Sequence, residues 1–294
     1  MKCLNGSEKL KNNILMRKIV LYIVYGDKQE YYDGAKFSIL TFKYWTLRKD
    51  NIEIFVLTEK PEMFESYEID VLKMSQLQKN EWSLNGQYHF RIKNRGLAYV
   101  MDKLKLGVED KILFFDADTY FHKSPLPLFN LIRQTQAVFY LNEGLIYKRK
   151  RFDIYIKHLE GKFIEIEGET YRLSKSSALW GSLMVGIMPN MRPSLEWSDK
   201  LMLKFYELVP SHTIESFSLS ETLLKKYKLV EGKKFVSLYS TSRKREYAKK
   251  ILSNFFKENN NLDILEKVEL AQNLRIKRPL FIVLKQRFIR IFRS

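Results

Sequence analysis

Apolar residues along this chain follow two alternating patterns. Short apolar runs at 18–25 (KIVLYIVY) and 52–57 (IEIFVL) have the length and the β-branched content of buried strands. Between them, residues 31–48 place Phe37, Leu40 and Tyr44 at helical spacing. Strands that alternate with helices in this way predict βαβ units and a mainly parallel sheet.

The same alternation continues through the second half of the chain. Residues 87–106 and 196–208 have helical spacing, and residues 137–141 and 183–187 are apolar enough for strands. The charged segment 142–178 contains the alternating FIEIEGETYRL, which predicts a hairpin. We therefore expect a single α/β domain over residues 18–270, preceded by a flexible arm, residues 1–17.

The most informative stretch is KILFFDADTYF, residues 111–121. Four apolar residues lead directly into Asp116-Ala117-Asp118, as in a buried strand that ends at the edge of a sheet. In extended backbone, residues i and i+2 point to the same side, so both carboxylates are predicted to project from the strand's carboxyl end. Open α/β sheets bind ligands there, and Mg²⁺ or Mn²⁺ takes carboxylate and phosphate oxygens. The alternative is a solvated acidic turn.

ILFFDADTYF resembles the D-x-D strand of glycosyltransferases with the GT-A fold, which join a nucleotide-sugar donor to an acceptor. The resemblance covers residues 18–256 and is closest in style to family 8 and to bacterial enzymes that build surface glycans such as lipopolysaccharide or capsule. It implies a Rossmann-like GT-A domain and transfer of a hexose, with UDP as the nucleotide. It also implies a divalent metal, Mn²⁺ or Mg²⁺, held by Asp116 and Asp118.

The resemblance implies donor-binding residues on the first half of the chain. The loop Tyr25-Gly26-Asp27 follows the first strand and would line the nucleotide pocket. Arg91 and Lys93 stand near the start of the helix that precedes the D-x-D strand and would meet the diphosphate. Ordinary loop chemistry and a solvated basic face are the alternatives.

On the second half, Trp180-Gly181-Ser182 resembles the small-residue turn beneath the donor sugar, although no Asn stands in it. Gly admits close approach of the backbone to a ligand, and Trp offers an apolar face to a sugar ring. Glu215 would orient the acceptor hydroxyl or act as a general base, so Glu215 and Asp118 are the catalytic candidates. Trp180 in the core and Glu215 on a helix surface are the alternatives.

A late histidine that completes the metal shell in the resembling family is replaced here by Leu238. The third protein ligand is therefore in doubt, and water or donor phosphates would fill the shell. The cluster Arg243-Lys244-Arg245 follows and suits a clamp on a diphosphate, for which we select Arg243 and Lys244.

Charge bears on the partners that this chain would bind. The 294 residues carry a net charge of +17, and seven of these positive charges lie in 275–294, which contains no Asp or Glu. Residues 271–294 are predicted to form a basic amphipathic helix, which is typical of an interfacial membrane anchor, although a docked C-terminal helix is an alternative. The expected partners are a nucleotide-sugar, a glycan or lipid-linked acceptor and an anionic membrane, with the protein peripheral on the cytoplasmic face of the cell membrane.

Two other functions fit parts of the sequence. Haloacid-dehalogenase-like phosphatases also carry an apolar strand followed by D-x-D-T, with the first Asp as nucleophile. Their motif lies on the first strand, however, whereas residues 18–110 of α/β pattern precede it here. A basic nucleic-acid-binding protein fits the charge, but the chain has no zinc-finger spacing and its aromatic residues sit in apolar strands, so nucleic acid is not an expected partner.

Overall fold

The computed structural model describes residues 16–47, 51–239 and 241–276. This part of the chain forms eleven strands, which in chain order are β1 (Lys18–Val24), β2 (Ile52–Thr58), β3 (Asp70–Lys73), β4 (Lys111–Phe115), β5 (Thr119–Tyr120), β6 (Gln136–Leu145), β7 (Ile164–Ile166), β8 (Glu169–Tyr171), β9 (Ala178–Ile187), β10 (Lys228–Glu231) and β11 (Ser237–Leu238). It also forms nine α-helices, which are α1 (Gln29–Tyr44), α2 (Gln76–Trp82), α3 (Arg91–Lys103), α4 (Pro127–Leu131), α5 (Asp153–Leu159), α6 (Arg192–Leu208), α7 (Ile214–Leu224), α8 (Ser242–Glu258) and α9 (Ile264–Asn273).

Seven strands form the central sheet in the order β10-β6-β9-β4-β1-β2-β3. Strand β9 runs antiparallel to both of its neighbours, and every other neighbouring pair in this sheet is parallel. The predicted mainly parallel sheet is therefore confirmed, with one reversed strand. Strand β4 lies in the middle of the sheet, so the residues after it emerge at the centre of its carboxyl edge.

Helices cover both faces of the sheet, which explains why its strands read as unbroken apolar runs. In β1, Val20 and Tyr22 pack in the core formed with α1, α8 and α9. Their neighbours Leu21 and Ile23 pack in the core formed with α3, α6 and α7. Successive side chains of a strand point to opposite faces, so one strand supplies both cores.

Most predicted elements appear close to their expected bounds, including β1, β2, β4 and the hairpin β7–β8 within the charged segment. Two local expectations were wrong. Asp116-Ala117-Asp118 forms a tight turn instead of extended backbone, because the amide of Thr119 donates to the Asp116 carbonyl at 3.2 Å. Trp180-Gly181-Ser182 is part of β9 and not a turn, because the strand begins at Ala178 and pairs there with β6.

Helix α1 comes unusually close to this turn at Gly34. A Cβ atom at that position would lie 2.7 Å from the Ala117 carbonyl oxygen and 2.8 Å from the Tyr239 hydroxyl. Only glycine leaves this space, so it lets the helix support the turn directly. Helix α1 thus packs directly against the backbone of the Asp116-Ala117-Asp118 turn.

The predicted arm and tail fall mostly beyond the described residues. Residues 1–15 and 277–294 lie outside them, so most of the interfacial helix expected over residues 271–294 falls outside the described part of the chain. Within residues 16–47, 51–239 and 241–276, no helix has the length and apolar character to cross a membrane.

Candidate active site

Charged side chains from three separate elements meet at the carboxyl edge of the sheet. Asp116 and Asp118 follow β4, Lys93 lies in the first turn of α3, and Glu215 begins α7. The reversed strand β9 brings Ser182 to the same place. All five were candidates on sequence grounds, and the structure brings them together.

The ammonium of Lys93 lies at the centre of this group. Its Nζ atom is 3.3 Å from Asp116 Oδ1, 3.5 Å from Glu215 Oε2 and 3.1 Å from the Ser182 hydroxyl. The side chain is only 12% exposed. A buried ammonium needs such partners, because its desolvation would otherwise cost several kcal/mol.

Glu215 is held by hydroxyl groups as well as by the Lys93 ammonium. Ser182 and Ser216 both donate to Glu215 Oε2, at 2.9 and 3.1 Å. The Glu215 amide donates to the hydroxyl of Tyr88 at 3.0 Å, which fixes the start of α7. The second carboxylate oxygen, Oε1, is buried and has no hydrogen-bond partner among the described residues.

Burial and nearby charges shift the proton equilibria of this group. Burial raises the pKa of Asp116 to about 7, with Lys93 opposing the shift and Asp118 and Glu215 adding to it. Burial alone would lower the pKa of Lys93, but Asp116 and Glu215 together raise it above its ordinary value. The ammonium therefore stays charged, while Asp116 holds a proton more readily than an exposed aspartate.

Asp118 has one occupied and one free oxygen. Its Oδ2 atom accepts from Arg245 Nη2 at 2.8 Å, whereas Oδ1 is buried with no partner in the described part of the chain. When Asp116 is ionised, three carboxylates thus face two cationic side chains, which leaves one negative charge in the cluster uncompensated. An orphaned carboxylate oxygen beside a surplus of negative charge suits a cation.

The donor set would suit a hard divalent ion with two protein ligands. Asp116 and Asp118 supply carboxylate oxygens, the ligands that Mg²⁺ and Mn²⁺ prefer. Within the described residues there is no cluster of three or more His, Cys, Asp or Glu placed to hold a metal. Leu238 pairs with Thr119 across the β5–β11 ladder, so an apolar side chain stands next to the turn where the resembling family has histidine.

Of the three candidate residues in the loop after β1, Tyr25 is the one that interacts with the group. Burial raises the pKa of the Tyr25 phenol well above its usual range, with Asp116 and Glu215 adding to the shift, so the phenol stays neutral. Gly26 has a φ of +94° and its amide donates to Glu59 Oε1. Asp27 points away, since its side chain is 93% exposed and pairs with Lys60.

Other sequence candidates are placed away from the carboxylates. Arg91 makes a bidentate ion pair with Asp199, both bonds 2.7 Å long, and donates to the Glu81 carbonyl, so its guanidinium is not turned toward a diphosphate. Trp180 is buried in the core against Phe139, with ring centroids 6.3 Å apart, as the alternative interpretation held.

The remaining candidates are Gly181, Arg243 and Lys244. In each case a neighbouring residue, Ser182 or Arg245, makes the contact with the carboxylates. A Cβ atom at Gly181 would meet Glu143 Oε1 at 3.2 Å, so this residue faces the end of β6. Arg243 and Lys244 are exposed at the start of α8, and the next residue, Arg245, makes the contact with Asp118. The basic cluster Arg243-Lys244-Arg245 predicted a cation at this point of the chain. The rotation of α8 about its axis decides that Arg245 is the member that faces Asp118.

Comparison with solved structures finds LgtC, a galactosyltransferase determined in complex with donor and acceptor sugar analogues. The alignment covers 89% of this chain and 97% of that one at 11% identity, with a TM-score of 0.51. The chain has a GT-A fold. At this identity the likeness establishes the fold and leaves activity to the site itself.

Two further solved structures align with this GT-A chain at lower TM-scores. The glycosyltransferase GlyE of Streptococcus pneumoniae TIGR4 shares 11% identity over 94% of this chain and 64% of its own, with a TM-score of 0.42. A 4-diphosphocytidyl-2C-methyl-D-erythritol synthase shares 15% identity over 80% and 98%, also with a TM-score of 0.42. Searches with family models and against curated proteins return no match.

Replacing Lys93 by Met should destabilise the GT-A domain strongly. The change leaves Glu215, whose side chain is 3% exposed, without its cation and removes the partner of Asp116, whose side chain is 26% exposed, which typically costs about 3–5 kcal/mol. Chemical denaturation followed by circular dichroism would measure the loss.

Lys43→Met is the matched control, because the Lys43 side chain is similarly buried at 13% exposure but its partner Glu68 is 69% exposed. Its free energy of unfolding should fall by less than about 1 kcal/mol. Equal losses in the two variants would contradict the central role of the Lys93 ammonium.

Proposed function

We propose that this protein transfers a sugar from a nucleotide-sugar donor, a UDP-sugar, to a glycan or lipid-linked acceptor. One observation carries the proposal, namely that Asp116, Asp118, Lys93 and Glu215 converge at the centre of the carboxyl edge of a GT-A sheet. Ligands of open α/β sheets bind at this edge. The family-8 resemblance supports UDP and a hexose.

The diphosphate of the donor would bind on the side of the two aspartates. Asp116 and Asp118 would hold Mn²⁺ or Mg²⁺, which when bound neutralises charge that develops on a departing diphosphate. Arg245 would donate to phosphate oxygens once the metal relieves its ion pair with Asp118. Lys93 balances the two buried carboxylates and keeps Asp116 oriented toward the donor.

The sugar and the acceptor hydroxyl would bind on the side of Ser182 and Glu215. Lys93 and the two serine hydroxyls hold Glu215 by Oε2, and Oε1 is buried without a hydrogen-bond partner among the described residues, so an acceptor hydroxyl would reach Oε1 only after the side chains that cover it move. A carboxylate in that position can orient the acceptor or take its proton. Tyr25 would border the same space with a neutral phenol.

The intact protein should bind UDP in the presence of Mn²⁺ and lose this binding in EDTA or in Asp118→Ala. The reason is that the diphosphate needs a cation between itself and the carboxylates. Isothermal titration calorimetry with UDP and GDP, each with Mn²⁺ and with EDTA, would establish the donor site and name the base.

Asp70→Ala is the control for this titration, because Asp70 is an exposed carboxylate on edge strand β3. It should bind UDP as the unaltered protein does. Undetectable binding of both nucleotides under all conditions would contradict the glycosyltransferase proposal and favour the phosphatase or nucleic-acid alternatives.

Affinity for Mn²⁺ should rise about tenfold per pH unit up to about pH 7 and then level off. The metal binds the ionised carboxylate, and Asp116 has a pKa of about 7 in the folded protein. The free energy of unfolding should change in the opposite direction and fall as the pH rises. The pKa of Asp116 lies above its unfolded value of 3.8, so the folded state holds the proton more tightly. The metal-free protein should therefore lose stability between about pH 4 and pH 7.

Calorimetric Mn²⁺ titrations and urea denaturation at a series of pH values measure these two trends. Asp116→Asn should abolish both the pH-dependent metal affinity and this part of the stability loss. A Mn²⁺ affinity that does not change between pH 5 and 7 would rule out Asp116 as a metal ligand with a raised pKa.

The basic tail leads to the proposal that the protein works at a membrane surface. Residues 275–294 carry seven positive charges and no acidic residue, and each basic residue near an anionic surface contributes about 1 kcal/mol. Co-sedimentation with phosphatidylglycerol liposomes should therefore be lost when these residues are deleted. Unchanged co-sedimentation would remove the membrane from the proposal.

A further inference from the structure

A cavity of about 800 Å³ lies beside the turn that carries the two aspartates. Its volume is in the range of small-molecule sites. The lining combines three tyrosines with three lysines, which are Tyr120, Tyr140 and Tyr239 together with Lys233, Lys234 and Lys244. Neither the proposed donor site nor the proposed metal site uses this space.

Positive charge dominates the rim of the cavity. Among the described residues, none of the three lysines makes an ion pair. The one carboxylate in the lining, Glu231, accepts from the Asn142 backbone amide at 2.9 Å and keeps its charge, so three positive charges stand against one negative charge. Lysines that have no carboxylate partner around a concave site attract an anionic group, and phosphate is a common one.

Aromatic and apolar side chains form the walls. The rings of Tyr120 and Tyr239 stack with centroids 6.3 Å apart and an interplanar angle of 29°. Val236 and Leu238 add apolar surface beside them. Tyr239 is buried and its hydroxyl is engaged, so the half-buried Tyr120 and Tyr140 offer the accessible aromatic surface. Such surface suits the face of a sugar ring better than it suits a bare inorganic ion.

The same residues tie the cavity to the carboxylates. The Tyr239 amide donates to the Asp118 carbonyl at 3.2 Å, and its hydroxyl donates to the Ala117 carbonyl at 3.3 Å. Lys244 immediately precedes Arg245, which contacts Asp118. A molecule in the cavity would therefore lie next to the donor diphosphate without occupying its place.

We propose that this cavity binds a phosphate-bearing sugar of the acceptor, with the phosphate on Lys233, Lys234 and Lys244 and the ring against the tyrosines. The inference rests on the proposed glycosyl transfer and names the chemical class of its acceptor. Ile276 lines the cavity, and the segment 277–294, which carries a net positive charge, follows it directly in the chain. A sugar phosphate carried by a lipid and a free sugar phosphate share this chemistry.

The test uses the full chain saturated with UDP and Mn²⁺, so that the donor site is closed to other phosphates. Calorimetric titration with α-glucose 1-phosphate should show binding, and methyl α-glucoside should bind at least about tenfold more weakly because it lacks the phosphate. The double variant Lys233→Gln/Lys234→Gln should weaken binding of the sugar phosphate by about tenfold and leave UDP binding unchanged.

Lys250→Gln/Lys257→Gln is the matched control. These two lysines of α8 are exposed and lie outside the cavity, but their replacement removes the same net charge. The control should bind α-glucose 1-phosphate as the unaltered protein does. Equal weakening in both double variants, or no binding of the sugar phosphate at all, would overturn the proposal.

A second arm separates the two sources of the phosphate. Vesicles of phosphatidylcholine with phosphatidylglycerol replace the sugar phosphate, and dependence of vesicle binding on Lys233 and Lys234 would assign the cavity to a lipid-borne phosphate. If only α-glucose 1-phosphate depends on them, the acceptor phosphate is a soluble one. If UDP itself fails to bind while the sugar phosphate still depends on both lysines, the proposed transferase is wrong and the sugar-phosphate site stands.

Discussion

The ammonium of Lys93 lies between carboxylates that come from different elements, 3.3 Å from Asp116 and 3.5 Å from Glu215. Glu215, which is 3% exposed, is the more costly of the two, because a buried charge without a partner costs several kcal/mol, and Asp116, which is 26% exposed, shares the same cation. The ammonium therefore makes it possible for the end of β4 and the start of α7 to bring two acids into one dry space. The rest of the site depends on that balance.

The architecture around the ammonium follows from the one reversed strand. Strand β9 runs antiparallel between β4 and β6, so it carries Ser182 to the carboxyl edge of the parallel strands. There the Ser182 hydroxyl contacts both Lys93 and Glu215. Helix α1 supports the aspartate turn from the opposite face, where only glycine fits at position 34. The turn is thus fixed from behind while its carboxylates remain available to a ligand.

The sequence was most informative where one local rule decides the outcome. Strand β4 is covered on both faces, so its apolar run ends where its polar turn begins, and Asp116 and Asp118 could be named from that run alone. The sequence was least informative where the rotation of a helix about its axis decides which side chains face the site. Arg91 and Lys93 are two residues apart on α3 and point in different directions, and Asp199, the partner that takes Arg91, lies on α6, which is remote in sequence. The same limit applied to Arg245 and its neighbours on α8.

Two regions of opposite charge lie side by side at this edge of the sheet. The three carboxylates around the aspartate turn exceed their two cationic partners by one negative charge when Asp116 is ionised, whereas the cavity next to the turn has three lysines without ion-pair partners among the described residues. Like charges in one enlarged site would repel, and mixed charges would neutralise one another, so the separation lets each region bind its own ligand. In the proposed reaction a donor phosphate would need a metal to approach the aspartates, whereas an acceptor phosphate would need none to approach the lysines. The two phosphates would then differ in their response to EDTA, although Tyr239 and the neighbours Lys244 and Arg245 link the regions that hold them.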